Sequence, residues 1–261
     1  MNIKIIIATH KKYIMPKDAM YLPLQVGAEK NNDIGYQKDN EGINISEKNP
    51  NFCELTGLFW AWKNLKADYI GLVHYRRYFT AKKIVPKEEN KKIKIILNKK
   101  ETEKLLNKAD VILPKKRNYF IENLWDHYKH TLYIEPLEKT EQIIKIKYPD
   151  YYSEFEKIHK RRKAHMFNMF IMKKEIMDEY CEWLFSILFE LEKNEDANKY
   201  DKFHARFYGR ISELLLDVWI NKNKIKYVET KVIDMENVNW VKKGSSFIKA
   251  KFLNKKYNKS F

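Results

Sequence analysis

Residues 44–79, NISEKNPNFCELTGLFWAWKNLKADYIGLVHYRRYF, decide the fold that this sequence predicts. Apolar side chains recur at helical spacing over 55–65, so we expect a core-facing helix that begins near Phe52 and is capped by Asn51. The run at 69–73 is short and uniformly apolar, which is typical of a strand buried on both faces. The stretch therefore predicts a helix followed by a central strand.

Cationic and aromatic side chains follow this strand directly, in the run HYRRYF at 74–79. Ligands of open α/β sheets bind beyond the carboxyl ends of the strands, so His74, Arg76 and Arg77 indicate an anion site. Alternatively, both arginines are solvated surface residues beside packed tyrosines. The spacing alone leaves both interpretations open.

Outside this stretch, segments of strand and helix alternate without an internal repeat. A first strand is expected at 3–8 and others at 109–113, 165–172 and 224–232, with amphipathic helices at 176–191 and 211–220. The alternation predicts an α/β fold with a mostly parallel central sheet and helices on both faces. We expect one domain at 1–239, followed by a basic amphipathic tail at 240–261 that suits an anionic membrane surface.

The chain has 261 residues and a formal net charge of +16, which attracts polyanions. A nucleic-acid-binding protein is therefore one alternative, although no nucleic-acid motif is present. The sequence predicts a cytoplasmic protein, because its two cysteines lie in helical patterns and it shows neither a signal peptide nor an apolar run of membrane-spanning length. If the tail binds a membrane, we expect the protein to be peripheral on the inner face of that membrane.

Several polar residues stand out at the ends or in the middle of apolar segments. Asn168 lies among large apolar residues and must be hydrogen-bonded or face a ligand. His127 and His130 are spaced i, i+3 on an expected helix, but no carboxylate or cysteine lies at a familiar metal-ligand spacing, so no metal site is predicted.

Four segments together resemble a family of bacterial capsular and exopolysaccharide glycosyltransferases long catalogued only as a domain of unknown function. They are CELTGLFWAWKNL, DYIGLVHYRRYF, NMFIMKKEIMDEYCEWLF and RFYGRISELLLDVWI, and the resemblance covers roughly residues 3 to 235. It implies a compact GT-A-like fold. It also implies transfer of a sugar, with galactose or galactofuranose favoured, from a UDP-sugar donor to a lipid-linked glycan acceptor.

The resemblance also suggests roles for individual residues. Glu213 is expected to be the catalytic base, because an acidic residue that opens the corresponding helix serves this role in inverting GT-A enzymes, and Asp201 and His204 are its alternates. The remaining expectations fall into three groups: the donor diphosphate binds His74, Arg76, Arg77 and Arg210; the nucleotide binds Thr9, His10 and Lys11; the sugar or acceptor binds Asn168 and His130.

One departure from ordinary GT-A enzymes concerns the metal. Those enzymes place an Asp-x-Asp motif after the central strand, whereas this chain has His74-Tyr75-Arg76 there. Because arginine neutralises phosphate through its own donors, we expect that no metal or other cofactor is strictly required. A scaffold that keeps the fold without activity is a further alternative.

Overall fold

The structure is a computed structural model that describes residues 1–236. The predicted tail at 240–261 therefore lies outside the described residues. The described chain divides into two compact units. Unit 1 comprises Met1–Lys115, Phe167–Glu182 and the described residues from Ile225 onward, and unit 2 comprises Lys116–Met166 and Trp183–Lys224.

The helices and strands of the described chain have the following bounds. The α-helices are α1 (Asn49–Phe52), α2 (Leu55–Asn64), α3 (Glu89–Lys92), α4 (Lys99–Leu106), α5 (Leu124–Thr131), α6 (Glu135–Lys147), α7 (Pro149–Glu156), α8 (Lys174–Asn194) and α9 (Phe207–Lys222). The strands are β1 (Ile3–Thr9), β2 (Tyr21–Gln25), β3 (Gln37–Lys38), β4 (Tyr69–His74), β5 (Arg77–Thr80), β6 (Val111–Pro114), β7 (Arg117–Asn118), β8 (Lys163–Ala164), β9 (Phe170–Lys173) and β10 (Val228–Asp234). Within residues 1–236, no helix combines the length and apolarity that crossing a bilayer requires.

Unit 1 contains one sheet, which in the described residues has the strand order β3-β2-β1-β4-β5-β10-β6-β9, with a further pairing of β4 with β9. Neighbours in the first part of this order, from β3 to β4, are parallel, and β6 is parallel to β10. The pairs β4–β5, β4–β9, β5–β10 and β6–β9 are antiparallel. The sheet is therefore mixed.

The prediction of a mostly parallel sheet was wrong because β4 turns directly into the antiparallel β5, and because β9 also runs antiparallel to the strands with which it pairs. Only Tyr75 and Arg76 separate β4 from β5, so the chain reverses there, with His74 opposite Arg77. The strand expected at 165–172 begins only at Phe170 and runs antiparallel to β4. A parallel neighbour needs a connection of a dozen or more residues.

The helix expected to begin near Phe52 is divided into α1 and α2, a break that the periodicity of its apolar residues does not indicate. Helix α1 ends at Phe52, and Cys53 adopts φ 54° and ψ −130°, so that α2 begins only at Leu55. The expected start near Phe52, capped by Asn51, is corrected accordingly. In the predicted apolar stripe, Leu55, Leu58 and Phe59 are buried, whereas Trp62 and Leu65 are only half-buried and Leu65 lies just beyond the end of α2.

Strand β4 lies between β1 and β9, and Gly71 permits this close approach. A Cβ atom at Gly71 would lie 2.9 Å from the carbonyl oxygen of Phe170, 2.9 Å from Cγ1 of Ile171 and 3.2 Å from Cγ1 of Ile5. Since a backbone atom of β9 is among these neighbours, a side chain at Gly71 would force the two strands apart.

A buried carboxylate fixes the loop-rich region before α2. Asp39 is fully buried and accepts hydrogen bonds from the backbone N–H groups of Gly27 (2.9 Å) and Ala28 (3.0 Å). It also accepts hydrogen bonds from the hydroxyl groups of Ser46 (2.5 Å) and Thr56 (2.6 Å). Three chain segments thus converge on one charge that is satisfied by hydrogen bonds.

In unit 2, a buried histidine–aspartate pair joins β8 to α9. The Nδ1 atom of His165 lies 2.5 Å from Oδ1 of Asp217, and the backbone N–H of His165 donates to Oδ2 at 3.1 Å. This explains why the apolar face of α9 carries an aspartate: its carboxylate is satisfied inside the unit.

We expect Gly71→Ala to lower the free energy of unfolding by about 2 kcal/mol, because the new methyl group meets the backbone of β9. Urea denaturation of the intact chain measures this. Gly57→Ala is the matched control, since its Cβ meets only side-chain atoms of Val26, Leu24 and Ile6 and alanine favours the α2 helix. Equal stability of Gly71→Ala and the parent chain would contradict the packing described for β4.

Candidate functional site

The ends of β1 and β4 lie side by side in unit 1. In their parallel register Ala8 is opposite His74, and the backbone N–H of Tyr75 donates to the carbonyl of Ala8 at 3.2 Å. The residues that follow both strands are therefore neighbours. This brings the residues predicted at the nucleotide, Thr9, His10 and Lys11, to the same edge as three of the four residues predicted at the diphosphate, His74, Arg76 and Arg77.

Tyr75 is the aromatic centre of this edge. The ring centroid of Tyr75 lies 5.3 Å from that of His10, 5.3 Å from Nζ of Lys11 and 5.0 Å from Cζ of Arg76. A tyrosine face attracts cations, so the buried ring gathers positive charge around it. Sequence reasoning treated Tyr75 as packing and missed this role, although its position between a histidine and two arginines was visible.

Both arginines of the HYRR run are paired with carboxylates at the end of β10. Nη1 of Arg76 lies 2.9 Å from Oε2 of Glu236, and Nε of Arg77 lies 2.9 Å from Oδ1 of Asp234. The side chains of Arg76 and Arg77 are 42% and 24% exposed, so Arg76 is partly open to solvent and Arg77 is half-buried. The two acidic residues were not predicted at the site.

A buried lysine holds the segment that carries these acids. Nζ of Lys92 donates to the backbone carbonyls of Asp234 at 2.8 Å and of Met235 at 2.9 Å. Lys92 lies in a lysine-rich stretch of the sequence, yet it is only 4% exposed. Because Lys92 binds backbone carbonyls of this segment, the side-chain carboxylates of Asp234 and Glu236 face Arg77 and Arg76.

The residues before β9 close one side of this edge. Nε2 of His74 donates to the carbonyl of Phe167 at 2.6 Å, and Nδ2 of Asn168 donates to Oε1 of Glu54 at 2.7 Å. Burial lowers the pKa of His74, with a further contribution from Arg77, while the carboxylate of Glu54 opposes the shift. His74 therefore carries its proton on Nε2 and leaves Nδ1 as an acceptor.

Backbone strain is concentrated around the contact between Glu54 and Asn168. Phe167 and Asn168 have φ angles of 78° and 54°, and Cys53, directly before Glu54, has φ 54°. Asparagine tolerates this region, whereas phenylalanine and cysteine seldom adopt it. Because such strain persists where function requires it, the cluster favours a functional role for Glu54, which was not among the predicted site residues.

Arg77 and Thr9 have more specific local contacts. The guanidinium carbon of Arg77 lies 4.6 Å from the centroid of the Phe167 ring. The hydroxyl group of Thr9 is buried, donates to the carbonyl of Lys11 at 2.6 Å and accepts from the backbone N–H of Lys11. Thr9 therefore shapes the turn after β1.

The residues predicted to be catalytic lie in unit 2. Nδ1 of His204 lies 2.5 Å from Oδ2 of Asp201, and this hydrogen bond lowers the pKa of the Asp201 carboxyl. The His204 ring is packed edge-on to Tyr133, with 4.7 Å between centroids. Its Nε2 atom is buried and has no hydrogen-bond partner within residues 1–236.

Two further predicted residues, Arg210 and Glu213, lie on α9. The guanidinium carbon of Arg210 stacks 3.9 Å from the centroid of the Phe203 ring. Helix α9 begins at Phe207, earlier than expected, so Glu213 lies in its second turn and does not open the helix. The extra first turn comes from the aromatic FYGR segment, whose Phe207 and Tyr208 are buried.

A carboxylate that sequence spacing did not reveal joins the two histidines of α5. The buried Glu122 places Oε1 2.8 Å from Nδ1 of His130 and Oε2 3.2 Å from Nδ1 of His127. Burial lowers the pKa of His127 to about 4, so this imidazole is neutral at pH 7. Among the described residues, no three His, Cys, Asp or Glu side chains form a metal-ligand set.

The predicted residues thus fall into two sets. Unit 1 brings together Thr9, His10, Lys11, His74, Arg76, Arg77 and Asn168. Unit 2 holds His130, Asp201, His204, Arg210 and Glu213. Together with Glu54, the set in unit 1 is the candidate functional site, because it combines cations, a neutral histidine and a carboxylate near adjacent strand ends.

Comparisons with known proteins agree with this architecture. The apo structure of the WbbM bifunctional glycosyltransferase is similar to this chain, with a TM-score of 0.84 and 32% sequence identity, and the match covers 91% of this chain and 46% of that one. The chain thus spans about half the length of WbbM. No curated protein matches the chain. Residues 4–224 match the model of a domain of unknown function, DUF4422, and the chain belongs to this family.

Proposed function

We propose that this protein is a glycosyltransferase that transfers a sugar from a nucleotide-sugar donor. One observation carries the proposal: Lys11, Arg76 and Arg77 lie together at the adjacent ends of β1 and β4, where α/β sheets bind ligands. The similarity to a bifunctional glycosyltransferase supports it. A UDP-sugar donor, with galactose or galactofuranose favoured, and a lipid-linked glycan acceptor in surface polysaccharide synthesis are the finer parts of the proposal.

The reaction requires charge stabilisation and the transfer of one proton. The bond between the anomeric carbon and the donor diphosphate breaks, a bond to an acceptor hydroxyl oxygen forms, and the hydroxyl proton passes to a base. Negative charge develops on the departing diphosphate, so cations placed there lower the barrier.

The guanidinium groups in unit 1 have donors available for phosphate. Asp234 engages only Nε of Arg77, and Glu236 engages only Nη1 of Arg76. Within the described residues, Lys11 contacts aromatic rings and forms no ion pair. The carboxylates hold the guanidinium planes in position, while the remaining N–H groups match the geometry of phosphate oxygens.

Glu54 is the carboxylate of unit 1 that we favour as the base. It is half-buried, accepts one hydrogen bond from Asn168 and forms no ion pair with a described residue. The earlier expectation assigned this role to Glu213, with His204 and Asp201 as alternates, and these residues remain the competing proposal. Within that set, the hydrogen bond that Nδ1 of His204 donates to Asp201 suits His204 best to accept a proton at Nε2.

Replacing either arginine should weaken nucleotide binding. We expect Arg76→Gln and Arg77→Gln each to weaken UDP binding by about 2 kcal/mol, or roughly thirtyfold, because charge-assisted hydrogen bonds are lost. Isothermal titration calorimetry with UDP and with UDP-galactose measures this.

Arg161→Gln is the matched control, since Arg161 is also paired with a carboxylate, 2.7 Å from Glu154 in unit 2. Its affinity for UDP should equal that of the parent chain. Binding of an oligonucleotide in place of UDP would instead support a nucleic-acid-binding protein.

The absence of an Asp-x-Asp motif leads to a second expectation. Donor hydrolysis or transfer should continue in EDTA, because Arg76 and Arg77 supply the positive charge that a divalent cation would supply elsewhere. Activity that EDTA abolishes and Mn²⁺ restores would refute the proposed role of the arginines.

The two proposals for the base can be separated kinetically. We expect Glu54→Gln to lower kcat by about a hundredfold while UDP affinity is retained, as for the loss of a general base. Glu213→Gln and His204→Gln are assayed in parallel on the same nucleotide-sugar panel. If either of these loses kcat while Glu54→Gln does not, the base belongs to unit 2. If neither the parent chain nor any variant hydrolyses a donor that it binds, the alternative of an inactive scaffold gains support.

A further inference from the structure

Unit 2 exposes two adjacent apolar side chains at the tip of the loop after β7. Phe120 is 72% exposed and Ile121 is 55% exposed. The Phe120 ring has no aromatic or cation–π contact with any described residue. Single apolar residues on a surface are common, but an adjacent pair that includes a phenylalanine at a loop tip requires a reason.

The backbone at the exposed Phe120 adopts a left-handed conformation that is unfavourable for a residue with a large side chain. Phe120 has φ 53°, and the N–H of Ile121 donates to the carbonyl of Tyr119 at 2.7 Å, which closes a tight turn. The side chain of Asn118 accepts from the N–H of Phe120 at 2.9 Å, and Nη1 of Arg162 donates to the carbonyl of Phe120 at 3.1 Å. Glycine or asparagine fits this φ, so phenylalanine here reduces the stability of the turn.

Positive charge surrounds this tip because two basic runs are paired there. Strands β7 and β8 place Asn118 opposite Lys163, and the N–H of Tyr119 donates to the carbonyl of Arg162 at 2.9 Å. Lys160, Arg162 and Lys163 are exposed. Two acids of the neighbouring segments are already engaged, since Glu122 is buried against His127 and His130 and Glu154 is paired with Lys157 and Arg161, whereas Glu156 is exposed.

We propose that this basic apolar tip, Arg117–Ile121 together with 160–163, docks onto an anionic lipid bilayer. Phe120 and Ile121 enter the boundary between headgroups and acyl chains, while Lys160, Arg162 and Lys163 lie at the level of the lipid phosphates. Apolar burial and surface charge act together, as stable peripheral binding requires. A lipid surface fits better than nucleic acid, because isoleucine offers no ring for a base to stack on. The inference does not depend on the proposed enzymatic activity.

Co-sedimentation of the intact chain with phosphatidylcholine vesicles, with and without phosphatidylglycerol, tests the proposal. The parent chain should bind only the vesicles that contain phosphatidylglycerol, and added salt should weaken the binding. Phe120→Asn should weaken it about tenfold, since one buried aromatic ring is lost. Its melting temperature should be unchanged or higher, because asparagine suits the left-handed backbone.

Three further variants, Arg162→Gln, Ile146→Gln and Ile121→Ser, complete the test. Arg162→Gln should weaken binding about fivefold, as expected for one cation near the surface. Ile146→Gln removes an equally exposed residue, 77% exposed on α6, and should leave binding unchanged. If Phe120→Asn and Ile121→Ser both bind vesicles as well as the parent chain does, another part of the chain contacts the lipid and the proposal is overturned. The proposal is also overturned if the parent chain binds an oligonucleotide but not vesicles, and Phe120→Asn loses that oligonucleotide binding.

Discussion

The candidate site depends on the close approach of β1, β4 and β9 at Gly71. Without a side chain at this position, β4 packs against a neighbour on each side, and its carboxyl end is held in the interior of the sheet. The chain that leaves β4 therefore emerges at a fixed place beside the end of β1. Tyr75, Arg76 and Arg77 owe their position to this arrangement, and so does the antiparallel strand that brings Phe167 and Asn168 to the same edge.

The electrostatics of the site differ from what the charge of the whole chain suggests. The chain carries +16, but at the strand ends three cations, Lys11, Arg76 and Arg77, share their surroundings with the carboxylates of Glu54, Asp234 and Glu236. Locally the charges nearly balance. Recognition of an anion here would therefore rely on the direction of the guanidinium N–H groups, which the ion pairs and the aromatic faces hold, more than on a general excess of positive charge.

Sequence reasoning succeeded where the determinants are local and failed where they come from distant segments. The buried stripe of α2, the strand at 69–74 and the long helix α8 follow from periodicity within a few turns or strand repeats. The break at Cys53 and the strained pair Phe167 and Asn168 depend on a contact between residues 114 positions apart, Glu54 and Asn168. Likewise, the pairing of β9 with β4 reverses the expected direction, and no pattern inside either strand specifies it. The cationic cluster was predictable because its members follow strands directly. Its acidic partners were not, because they arrive from the end of β10.

The arrival of β10 has a consequence for how the protein is made. Arg77 and Asp234 are 157 positions apart, and all the described residues of unit 2 are translated between them. During synthesis on the ribosome, the first strands of unit 1 must wait for most of the polypeptide before β10 can insert between β5 and β6. A nascent chain thus lacks the ordered arginines until nearly all described residues have emerged.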